Sequence, residues 1–132
     1  MPTAGAILGV ILIVEDSEPC ITTLEMALLG MGALETRTAR TGAEALMFLS
    51  SADHPVRAIV TDLQLPTMDG YELIEWVRGR ASQAALPIIV TSGDSDPGNS
   101  ERLRLLGADA YFVKPYSPAA VRRTLEKLLH AS

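Results

Sequence analysis

The stretch "AIVTDLQLPTMDG", residues 58–70, runs an apolar segment straight into Asp62 and then into a proline and a glycine. A carboxylate at the end of a buried strand has two readings. It caps or turns the chain there, or it is chemistry held at the rim of a sheet. The flanking sequence decides between them. Five short apolar runs, 11–14, 35–39, 58–61, 88–91 and 110–113, alternate with five segments of helical periodicity. That is the pattern of an α/β domain built on a parallel sheet. Four runs are nearly continuous in apolar residues, as expected for strands covered by helices on both faces. The second, 35–39, mixes in charge and belongs at an edge.

The helical segments announce their ends. Thr41 to Glu44 and Asp69 to Glu72 have the spacing of capping boxes, and Ser117 before Pro118 is an N-cap with proline in the first turn. Val121, Leu125, Leu128 and Leu129 form one apolar stripe, which leaves Arg122, Arg123, Glu126 and Lys127 for water. Gly32 and Gly107 stand where helices should end. The segment "SGDSDPGNS", 92–100, reads as one long loop after the fourth strand.

The 132 residues are one domain's worth, 48% hydrophobic and 20% charged, so a sizeable core is available and a disordered chain is excluded. We take residues 1–132 as a single domain with its core over about 7–129. The formal charge of −5, from 16 acidic against 11 basic residues, gives no general attraction to nucleic acid or to an anionic membrane. One cysteine, Cys20, excludes an internal disulfide and a cysteine pair for a metal, and it reads as a half-buried helix residue. The N-terminal "AGAILGVILIV" lacks a preceding Lys or Arg and runs into "EDSE" rather than a small-residue cleavage site. It is also too short to span a bilayer as a helix. It reads as a tail leading into the first strand, which implies a cytoplasmic protein.

Ligands of open parallel sheets bind outside the C-terminal ends of the strands. There the first run is followed by Glu15 and Asp16, the third by Asp62, the fourth by Ser92 after Thr91, and the fifth by Lys114 and Pro115. Singly, Asp16 could cap a helix, Ser92 could start a turn and Lys114 could be an exposed lysine. Jointly, three carboxylates, a hydroxyl and an ammonium converge on one rim. Two carboxylates ~4 Å apart repel by about 4 kcal/mol at an effective dielectric of about 20, so such a cluster raises its own pKa values or gathers a cation. Hard oxygen donors suit Mg²⁺, and a phosphoryl group bound here would have the metal on one side and Lys114 on the other.

In this order the residues resemble the receiver domain of two-component response regulators, the CheY-like superfamily. The motifs are "ILIVED", "TDLQLPTMDG", "PIIVTSGD" and "AYFVKP". The resemblance implies a flavodoxin-like (βα)5 three-layer sandwich with strand order 2-1-3-4-5. It implies that Asp62 accepts a phosphoryl group from a phosphohistidine of a histidine kinase or histidine phosphotransferase domain. Asp16, Asp62 and the Gln64 backbone carbonyl would bind Mg²⁺ directly and Glu15 through a water, while Lys114 and Ser92 would hold phosphoryl oxygens. It further implies a cis Lys114–Pro115 bond, a switch of Ser92 and Tyr111, and tuning of dephosphorylation by Gln64 and Asp94. Partners would read the surface of the fourth helix, fifth strand and fifth helix. The stretches 103–106 and 111–116 would suit a phosphorylation-dependent homodimer or a different partner equally. Serine at 92, glycine at 93 and glutamate at 15 depart from the commoner threonine, alanine and aspartate but keep the needed groups.

Two other functions compete. A Mg²⁺-dependent aspartyl-phosphate phosphohydrolase would place a second acid two residues after the nucleophile, where this chain has Gln64. A receiver used only as a scaffold would lack part of the acid, aspartate and lysine set, and none is missing. The sequence therefore implies a signalling module that catalyses only its own phosphorylation and dephosphorylation.

Overall fold

Five parallel strands alternate with five helices in the computed structural model, which describes residues 8–51, 55–80 and 83–131. The order is β1 (Gly9–Val14), α1 (Glu18–Ala27), β2 (Leu34–Ala39), α2 (Gly42–Ser51), β3 (Val56–Asp62), α3 (Gly70–Arg78), β4 (Ile88–Ser92), α4 (Pro97–Leu106), β5 (Ala110–Val113) and α5 (Pro118–Ala131). In space the strands run β2-β1-β3-β4-β5. The expected tail and the core boundary at residue 7 lie outside the described residues.

Successive strand residues point to opposite faces, so each central strand feeds two cores. Leu12, Val14, Ile59 and Val90 pack with Ala45, Leu73, Ile74, Val77 and Leu103 from α2, α3 and α4. Ile11, Ile13, Val60 and Ile89 pack on the other face with Leu24 and Leu28 at α1 and with Val121 and Leu125 of α5. This double covering explains why β1 and β4 are buried throughout. The edge strands differ. β5 is only half-buried despite its apolar run, and β2 pairs the side chains of Glu35 and Arg37 along its length.

The caps follow the sequence with small shifts. Asp69 accepts from the Glu72 N–H at 2.9 Å, Thr41 from Glu44 at 3.0 Å and Ser117 from Ala120 at 3.2 Å. Glu44 reaches back to the N–H of Arg40, one residue before the cap, so that box is not reciprocal. Gly32 has φ 61° but lies in the turn beyond the Leu28 cap of α1 rather than at the cap. The last four of the nine residues read as a long loop, 97–100, are helix, because Asp96 caps α4 through the Gly98 N–H at 2.9 Å and Pro97 takes the first helical position. Arg122 does not face open water. Its guanidinium donates to the carbonyls of Ala27 at 3.1 Å and Leu29 at 2.6 Å, fastening α5 to the end of α1, and Glu126 beside it is half-buried.

Candidate active site at the C-terminal strand ends

Strand register carries the chemical groups to one rim. Asp62 is the last residue of β3 and pairs with Thr91 of β4, and Ser92 is the last residue of β4 and pairs with Val113. Glu15 follows β1, anchored by its N–H on the Ala39 carbonyl at 3.0 Å, and Lys114 follows β5, anchored on the Ser92 carbonyl at 2.7 Å. Asp62 and Ser92 therefore belong to the strands themselves, one position earlier in the geometry than their reading as residues just past them.

The side chains converge. Lys114 Nζ donates to Glu15 Oε1 and to Asp62 Oδ2, each at 2.9 Å. Glu15 is 1% exposed and Asp62 6% exposed, so the ammonium lies between two carboxylates withdrawn from water. The Lys114–Pro115 peptide is cis. The second oxygen of each acid takes backbone donors: Glu15 Oε2 accepts from the N–H groups of Asp16 and Ser17 at 3.1 Å, and Asp62 Oδ1 from the N–H of Gln64 at 3.0 Å. These donors have no side-chain signature. Their hint in the sequence is a carboxylate followed at once by a loop whose free N–H groups need acceptors.

Burial pushes the Glu15 carboxyl above its ordinary 4.5, and the charge of Asp62 adds to the rise, against hydrogen bonds from Lys114 and the Ser17 N–H. Burial also works against the Lys114 ammonium, but its hydrogen bonds to Glu15 and Asp62 outweigh that cost and raise it above 10.5. Tyr116, near the same charges, is pushed up to about 12, chiefly by burial.

Carboxylate oxygens of Glu15, Asp16 and Asp62 lie within 4.8 Å of one another, so the cluster could hold a metal ion. Three hard oxygen donors fit a small divalent cation, and exposed Asp16 leaves one side open for the waters such a cation keeps.

The β3–α3 loop is drawn tightly over Asp62. Gly70 donates to the Leu63 carbonyl at 2.8 Å, and a Cβ on Gly70 would stand 2.8 Å from both the Asp62 carbonyl oxygen and the Leu63 Cα. Between them Thr67 has φ 67°, and the Met68 N–H reaches the Pro66 carbonyl at 2.7 Å, closing a γ-turn.

Ser92 Oγ accepts from the N–H of Asp94 at 3.0 Å, and the Tyr111 hydroxyl donates to the Asp94 carbonyl at 2.6 Å. Tyr111 is half-buried, its ring against the core and its hydroxyl on the β4–α4 loop. The Gln64 side chain is exposed at the rim, and the Asp94 carboxylate turns back to accept from the Asp96 N–H at 3.0 Å. On the face of α4, β5 and α5, Leu103 is fully buried in the core, whereas Leu105 is 71% exposed and Val113 38% exposed.

Comparison with known proteins agrees with this geometry. The sequence model of the family described as "Response regulator receiver domain" matches residues 11–126. The chain is 33% identical to the polar-differentiation response regulator DivK of Brucella ovis, over 90% of this chain and 94% of the relative. It is 30% identical to a chemotaxis protein CheY homolog of Campylobacter jejuni, over 90% and 91%. The signal receiver domain of a histidine kinase from Syntrophus aciditrophicus superposes with a TM-score of 0.81 at 35% identity, covering 93% of this chain and 91% of that one.

Proposed function

The chain belongs to the response regulator receiver domain family, and from that premise we propose that Asp62 accepts a phosphoryl group from a phosphohistidine and that the modified domain then switches its binding to a partner. The observation that carries this reading is the Lys114 ammonium held at 2.9 Å from both Asp62 and Glu15. It sets a cation against a buried carboxylate at the rim of the sheet, where that carboxylate can act as a nucleophile. In the step an Asp62 carboxylate oxygen forms the bond to phosphorus as the phosphorus–nitrogen bond breaks, and the electron pair returns to the imidazole of the donor. Lys114 keeps its place as the negative charge of Asp62 passes to the phosphoryl oxygens beside it.

Asp16, Asp62 and the Gln64 carbonyl would hold Mg²⁺ directly, with Glu15 acting through a water, and the ion would supply neutralisation of charge on the transferring group. Ser92 Oγ already accepts from Asp94, and a hydroxyl that accepts still has a proton to donate to a phosphoryl oxygen. Tyr111 shares Asp94 with it and would follow any shift of that loop. Gln64 and Asp94 would set the lifetime of the phosphate. The donor is a histidine kinase or histidine phosphotransferase domain, and the partner reads the face of α4, β5 and α5. Among the described residues no helix is long and apolar enough to cross a membrane. We place the protein in the cytoplasm, as a signalling module that catalyses only its own phosphorylation and dephosphorylation.

The test is intact mass after incubation with a small-molecule phosphodonor, with and without Mg²⁺, for the wild type and Asp62→Asn. The expected result is a Mg²⁺-dependent gain of one phosphoryl group that the variant lacks. A wild type that stays unmodified, with a phosphohistidine donor as well, would return the scaffold reading.

A further inference from the structure

We propose that the cavity at the N-terminal ends of the strands, the pole opposite Asp62, binds a small amphipathic monoanion, an aliphatic or aromatic carboxylate whose head group sits on Arg57. The site shares no residue with the rim that carries Asp62 and Lys114. It therefore stands or falls independently of phosphoryl transfer.

The cavity has a volume of about 710 Å³, inside the range of about 300–1,000 Å³ typical of small-molecule sites. It opens where the α1–β2 turn, the start of β3, the segment before β4 and the last turns of α5 diverge. Its walls are mainly apolar, built by Leu8, Met31, Leu34, Val56, Leu86 and Leu129. Leu8 is 54% exposed, which leaves hydrocarbon at the cavity for an apolar ligand to remove from water. The α1–β2 turn has no bulk with which to fill the space, since a Cβ on Gly30 or Gly32 would meet no atom within 4 Å.

The charged groups in the walls decide the sign of the ligand. Arg122 spends its guanidinium on the Ala27 and Leu29 carbonyls, and its Nε lies 3.7 Å from Glu126. Arg57 differs, because among the described residues no carbonyl or carboxylate meets its guanidinium. Its placement is nonetheless specific. Val10 pairs with Val56 and Ile11 with Ala58, so the ladder skips Arg57 and leaves it opposite no residue of β1. Its stem crosses β1 at Gly9, where a Cβ would stand 2.6 Å from its Cγ and 3.2 Å from its Nε. Gly9 gives the arginine a passage that a larger residue would close. With His130 neutral, the walls carry Arg57 and Arg122 against Glu126, a net positive charge in a chain whose formal charge is −5. One negative head group balances it, and a second would face Glu126 uncompensated. A guanidinium offers a planar fork of donors that matches a carboxylate with two parallel hydrogen bonds. Apolar walls and one free fork together select a hydrocarbon body that ends in a carboxylate.

Titration of the full chain with decanoate, below the concentration at which it forms micelles and followed by backbone amide NMR shifts, tests the site. Saturable shifts should centre on residues 30–34, 56–57 and 126–130. Decan-1-ol, which keeps the hydrocarbon and lacks the charge, should bind roughly tenfold more weakly. Arg57→Met should weaken decanoate by about the same factor and leave decan-1-ol unchanged. Arg57→Lys, which keeps the charge and loses the fork, should fall between the wild type and Arg57→Met. Shifts scattered over the surface, equal affinity for the alcohol, or unchanged decanoate binding in Arg57→Met overturns the proposal. Binding seen only after residues 1–7 are deleted would make that segment the occupant. Shifts of the same amides with protein concentration alone would make it a second copy, and either result overturns the proposal as well.

Discussion

Lys114 shows most directly how one residue balances the site. Its ammonium is the counter-charge for Glu15 and Asp62, both nearly inaccessible. Lys114→Met leaves two carboxylates together in a poorly hydrated pocket. Breaking a fully buried pair costs about 3–5 kcal/mol. Because the Lys114 side chain is 24% exposed, we expect a smaller loss of roughly 2 kcal/mol near neutral pH. The direction of the shift sets the sign with pH. A carboxyl raised in the folded state stabilises while protonated, and that stability is lost as pH rises through its folded value. Removing the lysine raises Glu15 further, so the deficit of the variant should be largest at about pH 7 and shrink towards about pH 5. Urea unfolding of both proteins across that range checks it, and a constant deficit would contradict the assignment. Asp62, Glu15, Asp16, Ser92 and Lys114 were legible in the sequence because each ends or follows a recognisable strand. The Gln64 N–H on Asp62 and the Asp94 N–H on Ser92 were not, since a backbone donor is aimed by loop geometry and every residue but proline has one.

Among the elements, the β3–α3 connection concentrates the strain. Thr67 is a β-branched residue at φ 67°, a conformation that costs an L-residue of this kind about 1–2 kcal/mol. Thr67→Gly should therefore raise stability by about 1 kcal/mol, read as a higher urea midpoint with an unchanged slope. Gly70→Ala should act oppositely. Its Cβ would meet backbone atoms of Asp62 and Leu63 at 2.8 Å, and displacing them should cost about 2–3 kcal/mol and slow phosphoryl uptake on Asp62. Equal effects of the two substitutions would contradict the close packing of this loop on the nucleophile. Element order and strand cores were readable from the apolar runs. The start of α4 was misread because Asp–Pro–Gly serves either as a turn or as a cap with proline at the first helical position, and packing of the later residues, Leu103 above all, decides between them. Arg78 was missed for a related reason. An arginine ending a helix ordinarily complements the dipole, and its carbonyl partners at 84, 86 and 107 carry no residue-type signature.

For the molecule as a whole, the face of α4, β5 and α5 is the one we propose a partner reads. Leu105 and Val113 are its large exposed apolar residues, Arg123 and Lys127 are exposed on α5, and exposed Arg104 on α4 is paired with Glu101. Two copies meeting across a two-fold axis would bring like charges together around a small apolar centre. We therefore expect the apparent mass in solution to stay that of a monomer before and after phosphorylation. A doubling on phosphorylation would make a second copy the partner. The strand order and the two cores were anticipated from the resemblance and the apolar runs, whereas the contacts that hold the two ends of α4, Tyr71 on Asn99 at one and Arg78 on Gly107 at the other, depend on which residues meet in space. The opposite border of the sheet carries a different consequence. β2 offers one side of a six-residue strand, "LETRTA", with no proline to interrupt it. Its paired Glu35 and Arg37 put formal charge along a rim where a neighbour's backbone could otherwise stack. This ion pair adds little to folding, yet it guards against strand-by-strand accretion, which keeps individual domains dispersed in a crowded solution.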